Sequence, residues 1–179
     1  MDPVSASISI QRPREEVFAY LQDIANHPEF LGHRLVDWHL TREDSIGRGA
    51  GARFRAKLRF HRFSYFDVTF TEVEAPYRIA FVGRGGKYDR TLVHGEITVK
   101  PDPGDSVRVT FTVETEPKLP SDRIMEAVAT QGLVARGALR KGLGRLRTIL
   151  EEGSESAKTG QRVTIAGGAR KPASGFRLN

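Results

Sequence analysis

The sequence predicts an α+β fold: one curved antiparallel sheet of about seven strands wrapped around a long C-terminal helix, with two short helices after the first strand. Three observations predict it. Between Leu35 and Val113, strand-like runs follow one another with short turns between them, and short connections permit antiparallel pairing, whereas parallel crossovers need a dozen or more residues. From Ser121 or Asp122 to about Glu152, apolar residues recur at spacings of three and four, the signature of an amphipathic helix. A sheet with one apolar face and a helix with one apolar stripe must then bury these surfaces against each other.

The elements follow in order. Ser5 to Gln11 alternates around Ile8 and Ile10 and reads as a strand. Pro13 opens a helix, where its missing N–H costs nothing. Glu15 and Glu16 suit the positive end of that helix's dipole, and Val17, Phe18, Leu21 and Ile24 form its apolar face. Pro28 disfavours helix before it, which sets the end near Asn26; Pro28 to Gly32 starts a second, shorter helix that carries Phe30 and Leu31 inward. Leu35 to Thr41 is a strand in which Trp38 shares a face with Val36 and Leu40, and its indole N–H needs a partner. Gly47, Gly49 and Gly51 interrupt the strands; lying between two strands, they lack the helix N-terminus that a phosphate loop requires and read as hairpin geometry. Next comes the clearest alternation in the chain: Phe54, Ala56, Leu58 and Phe60 against Arg53, Arg55, Lys57 and Arg59, a strand with one buried and one wet face. Phe66, Val68 and Phe70 repeat the pattern until Ala75-Pro76. Arg78 to Val82 is short, and Gly83, Gly85 and Gly86 form a turn. Thr91 to Val99 precedes a turn at Pro101 to Asp105, and Val107, Val109, Phe111 and Val113 alternate with polar residues in the last run. The long helix carries Ile124, Val128, Gly132, Ala135, Leu139, Leu143, Leu146 and Leu150 on one stripe.

Composition bounds the function. The chain has 179 residues, suiting one domain and a tail, and no cysteine, which excludes disulfides, thiolate metal sites and cysteine nucleophiles and suits a cytoplasmic location. No apolar run approaches the roughly 18 residues of a membrane span, and Met1-Asp2-Pro3 has no basic or apolar signal region. From Glu151 onward five basic residues (Lys158, Arg162, Arg170, Lys171, Arg177) meet three acidic ones (Glu151, Glu152, Glu155), so this stretch holds +2 of the formal +6. After Gly153, Val163, Ile165, Phe176 and Leu178 are the larger apolar residues, too few to order a segment, so the division expected is a domain over 1–152 and a disordered basic tail over 153–179.

This order of elements resembles the helix-grip superfamily known as START-like or SRPBCC, and within it the polyketide cyclase/dehydrase and lipid-transport branch, over roughly Val4 to Glu152. The carriers are Ser7-Ile8-Ser9-Ile10 followed by Pro13-Arg14-Glu15-Glu16-Val17-Phe18, the turn Asn26-His27-Pro28-Glu29-Phe30, Gly47-Arg48-Gly49 before a strand, and the closing helix. An aromatic often stands in the family where this chain has His27, which implies a more polar pocket mouth here. The resemblance implies a cavity between the concave sheet and the long helix that holds a lipid, sterol, quinone or polyketide-like molecule, without metal or cofactor. On this chain its walls would come from Phe18, Phe30 and Trp38, from the strand residues Phe54, Leu58, Phe66, Phe70, Phe81 and Phe111, and from Val128, Gly132, Ala135 and Leu139 on the helix. Small residues on the stripe leave volume of the roughly 300–1,000 Å³ typical of ligand sites; the competing expectation is a solid core filled by the phenylalanines.

Three functions follow as expectations: binding or transport of a hydrophobic small molecule; a metal-free aromatase/cyclase or dehydratase acting on a polyketide; and an interaction module meeting an anionic membrane or RNA through basic faces. The candidate catalytic groups are Arg90, His94, Glu96 and Tyr88. An enzyme needs His94 and Glu96 to point into the cavity. The alternate face of their strand, Val93, Gly95, Ile97 and Val99, is more apolar and has the better claim to the interior. The five histidines have no metal-ligand spacing. The row Arg53, Arg55, Lys57 and Arg59 lacks the interleaved aromatics of a nucleic-acid surface, and Asp67 and Glu72 can neutralise it, so no specific nucleic acid is expected. Arg136, Arg140, Lys141, Arg145 and Arg147 on the long helix permit weak contact with an anionic membrane, and exposed strand edges permit a monomer or a homodimer.

Overall fold

The computed structural model describes residues 2–57, 65–86, 89–119, 131–153 and 163–165. Strands β1 (Val4–Ile10), β2 (Leu35–Leu40), β3 (Gly51–Ala56), β4 (Tyr65–Glu74), β5 (Arg78–Gly85), β6 (Thr91–Asp102), β7 (Ser106–Pro117) and β8 (Thr164–Ile165) form one curved, open sheet in the order β1-β7-β6-β5-β4-β3-β2-β8. Strands β2 to β7 are an antiparallel meander, and β1 closes onto β7 with Val4 opposite Val113 and Ile10 opposite Val107. Helices α1 (Arg14–Leu21), α2 (His27–Leu31) and α3 (Gln131–Glu152) cover the inner face. The architecture is the helix-grip arrangement expected from the sequence.

The inner face is apolar because alternation places every second residue there. Ile10, Ile79, Ile97, Val99 and Val109 are completely buried, and Leu146, Ile149 and Leu150 of α3 meet this end of the sheet equally buried. Each such side chain contributes on the order of 1.5–3 kcal/mol by leaving water. The corner between β1 and α1 anchors the end of α3. Arg12 donates from Nε to the Leu150 carbonyl (2.8 Å) and from Nη2 to that of Glu151 (3.2 Å), and the Gln11 N–H donates to Glu151 Oε1 (2.7 Å). A cation on carbonyls that have no intrahelical partner also suits the negative end of the dipole. Gly153, at φ 100°, turns the chain out of the helix.

Several expectations are corrected. The first helix ends at Leu21, not near Asn26: the Asp23 carboxylate accepts the Ala25 N–H (3.0 Å), caps the separate turn Ile24–Asn26, and α2 then begins at His27. In β2, Asp37 takes φ 56° and bulges, so Val36 lies opposite the outward Arg55 while Leu35 lies opposite the inward Ala56. Trp38 therefore shares the inner face with Leu35 and Leu40, not with Val36. Its Nε1–H donates to the Leu35 carbonyl (2.8 Å), the partner a buried indole requires. Gly83 and Gly85 belong to β5, and the turn is left to Gly86 at φ 75°. Pro101 and Asp102 extend β6, so the following turn is only Pro103–Asp105. Within the segment expected to be tail, Val163 is buried and Thr164–Ile165 add an eighth strand, parallel to β2. Ile124 and Val128 of the helix stripe, Leu58 and Phe60 of the third strand, and Tyr88 lie outside the described residues.

Candidate functional site: a recess at one end of the sheet

Burial along the inner face is uneven. At one end Ile79, Ile97, Val99 and Val109 are completely buried, with Val73 and Ile8 partly exposed beside them. Toward the opposite end, Phe66, Gly83, Gly95, Val113 and Thr115 point inward by register and are partly exposed, around the buried Val93. The helix repeats this gradient: Gly132 and Ala135 are partly exposed, whereas Leu139, Leu143, Leu146 and Leu150 are buried. The inner stripe of the described part of α3 thus carries small residues, Gly132 and Ala135, where it is partly exposed, and this partly open region of the inner face is the candidate recess.

The floor of the recess is shaped by glycines. A Cβ on Gly95 would overlap the Phe81 ring and lie 2.6 Å from the Thr112 carbonyl oxygen; one on Gly85 would overlap the Phe66 ring; one on Gly83 would sit 2.8 Å from Val68 Cγ1. The rings of Phe66 and Phe81 thus lie across the neighbouring strands, over Gly85 and Gly95. Phe81 also packs on Phe111 (centroids 5.7 Å), and Trp38 on Phe54 (4.6 Å). Of the residues expected as walls, Phe66, Gly132 and Ala135 are partly exposed, whereas Phe81, Phe111 and Leu139 are buried. Phe18 of α1, Phe30 of α2 and Phe70 of β4 are buried in the core.

His27 is likewise core. Its ring tilts against Phe30 (5.2 Å) and Phe70 (5.6 Å), and Nε2–H donates to the Leu21 carbonyl (2.8 Å). Since a carbonyl can only accept, the proton resides on Nε2. Complete burial drives the imidazole down to about 4, against the opposing pull of the Leu21 carbonyl and the Asp23 charge. The polar mouth expected from this residue is therefore absent: His27 occupies an aromatic's place as a neutral ring. Beside it, Tyr20 donates to Glu29 Oε2 (2.8 Å), and Asn26 Nδ2 donates to the Tyr20 carbonyl (2.9 Å). Burial raises the Glu29 carboxyl, with the Tyr20 hydrogen bond opposing it and Asp23 adding to it.

Two of the candidate catalytic residues, His94 and Glu96, lie on the outer face. His94 is exposed and lies opposite Val82 and Glu114 on the outer face; Glu96 shares that face and is bound by Arg78 Nε (3.1 Å), which also holds Glu72 (2.6 Å). Arg90 lies just before β6, and its carbonyl accepts the Lys118 N–H (2.9 Å). The basic row is partly neutralised: Arg53 grips both oxygens of Asp67 (2.7 and 2.8 Å), and Arg55 reaches Asp37 (2.6 Å). Glu72, the other residue expected to neutralise the row, turns to Arg78 instead. Among the described residues no group of three or more His, Asp or Glu could hold a metal ion, and no helix is long and apolar enough to cross a membrane.

Sequence reasoning missed a cleft of about 390 Å³ between the α2–β2 connection and the N-terminal half of α3. Among the described residues it is lined by His33, Arg34, Val134, Gly137, Ala138 and Lys141. Two of these precede a strand and four lie on a helix flank, so no periodicity groups them along the chain.

A family model described as polyketide cyclase / dehydrase and lipid transport matches residues 1–151. No curated protein matches the chain. Among solved structures, the protein TTHA0849 from Thermus thermophilus superposes with a TM-score of 0.62 at 21% identity, covering 88% of this chain and 99% of that one. DR_A0006 from Deinococcus radiodurans gives 0.58 at 19% identity over 86% and 99%. Norcoclaurine synthase from Thalictrum flavum, in complex with dopamine and hydroxybenzaldehyde, gives 0.58 at 16% identity over 84% and 87%. At these identities the likeness is one of fold.

Proposed function

This chain belongs to the polyketide cyclase / dehydrase and lipid transport family, and on that premise we propose that it binds a hydrophobic small molecule, lipid, quinone or polyketide-like, in the recess between the sheet and α3, in the cytoplasm. The observation that carries this reading is the partial exposure of inward-facing Phe66, Gly95, Val113 and Ala135, whereas Ile79, Ile97, Val99 and Val109 are completely buried. Inward apolar surface left partly open is what a ligand of matching character covers. Family membership supports a small-molecule site, and a relative of the same fold was solved with dopamine and hydroxybenzaldehyde bound. Binding is favoured over cyclisation because the inward side chains around the recess, among the described residues, are apolar or threonine; acid/base chemistry needs a titratable group within hydrogen-bond reach of the reacting atom.

The test uses Nile red, a neutral probe whose emission rises in apolar surroundings. The wild type binds it saturably, and Ala135→Trp, which puts an indole at the partly exposed inner stripe of α3, weakens it by about tenfold, roughly 1.4 kcal/mol, with a cooperative unfolding transition retained. Equal binding by the two proteins, or none by the wild type, overturns the assignment.

A further inference from the structure

We propose that the molecule held in the recess carries an acidic group, a carboxylate or a phosphate, bound by Arg34, Lys141 and His33 in the cleft at the rim. This rests on the binding function proposed above and adds the chemical class of the ligand.

The cleft lies at the open end of the sheet. The Lys57 N–H donates to the Arg34 carbonyl (2.8 Å), and Leu35, next in sequence, pairs with Ala56 at the same end as Phe66. On α3, Val134 and Ala138 line the cleft while Ala135 and Leu139 lie at the recess. An amphiphile with its chain against Phe66 and Phe81 would therefore bring its polar end to this cleft.

Charge and hydrogen bonding specify that polar end. Arg34 and Lys141 are exposed and have no ion pair among the described residues, so both charges can face a ligand in the cleft. His33 Nδ1–H donates to the Phe30 carbonyl (3.2 Å), and the buried Nε2 makes no hydrogen bond of its own. Burial and the charges of Arg145 and Lys141 lower the His33 imidazole, with the Phe30 and Ala138 carbonyls opposing them. An acidic group entering the cleft offsets these charges, so that the ring can take up a proton beside it and join Arg34 and Lys141 in binding the anion. A neutral headgroup would supply no countercharge for Arg34 and Lys141.

Calorimetric titration with decanoate, decyl phosphate and decanol, below their aggregation limits, tests this. At least one acid is expected to bind about tenfold tighter than decanol, and the better acid identifies carboxylate or phosphate. The double variant Arg34→Gln/Lys141→Gln should reduce the acids to the affinity of decanol and leave decanol unchanged. Lys100→Gln, exposed on the outer face of β6, should leave all three unchanged and thus control for net charge. Equal binding of acids and decanol by the wild type, or an acid preference that survives in the double variant, overturns the acidic-group assignment and leaves the recess as a binding site. Failure of all three to bind overturns the assignment together with the function on which it rests.

Discussion

Gly95→Val should lower the melting temperature by about 10 °C. The cost is about 3–5 kcal/mol, because the new side chain meets both a ring and a backbone carbonyl that cannot move aside. A domain of this size loses about 2–4 °C per kcal/mol. The added Cβ would overlap Phe81 and lie 2.6 Å from the Thr112 carbonyl oxygen, so relief requires the ring to stand up into the recess and β6 to part from β7. Gly144→Ala provides the contrast. A Cβ there meets nothing within 4 Å, and the residue is inside α3, so the substitution should stabilise by about 0.5–1 kcal/mol. Thermal unfolding followed by circular dichroism separates the two, and similar melting temperatures would mean that Phe81 does not lie across Gly95.

The second large effect is acid sensitivity from His27. In the unfolded chain this histidine takes a proton near its ordinary value of about 6.5, whereas in the folded protein burial holds it to about 4. Below pH 6.5 the unfolded state thus binds more protons, and stability must fall as pH falls. The contribution is intact above pH 6.5 and lost progressively down to about pH 4, to a total of about 3 kcal/mol, since each pKa unit is worth about 1.4 kcal/mol. Glu29 works the other way. Its raised carboxyl makes the folded state the better proton acceptor above the ordinary glutamate range, so its share of stability is greatest in acid and declines as pH rises. The two are separated by comparing the wild type with His27→Phe in urea at pH 7, 6, 5 and 4.5. The variant loses the hydrogen bond to Leu21 and is weaker at pH 7, but its slope between pH 6.5 and 4.5 should be shallower by nearly one proton. Equal slopes would mean that His27 is not a neutral buried ring.

The residues differ in what they disclose before folding. The alternation of Phe54 with Arg53 and Arg55 is legible because a strand's two faces translate directly into sequence period. The long helix is legible for the same reason at period 3.6. The bulge at Asp37 is not, because a left-handed aspartate leaves no trace in the pattern of its neighbours, and without it Val36 falls on the wrong face. Gly83 and Gly85 read as a turn because glycine serves turns and close approaches alike; only the pairing of β4 with β5 reveals that Phe66 needs the space above Gly85. Whether His94 or Val93 faces inward could be argued from the apolar character of the alternate residues. The cleft could not be foreseen at all: His33 and Lys141 are separated by more than a hundred positions and meet only because α3 lies beside α2.

The most direct test of the binding function is native mass spectrometry of the protein purified gently from its own host, followed by solvent extraction of whatever is released. A single hydrophobic molecule near unit occupancy, displaced in Ala135→Trp, is the result expected of an open recess lined by Phe66, Val113 and Ala135. A clean unliganded mass in repeated gentle preparations, with no mass shift after incubation with a host lipid extract, would contradict it.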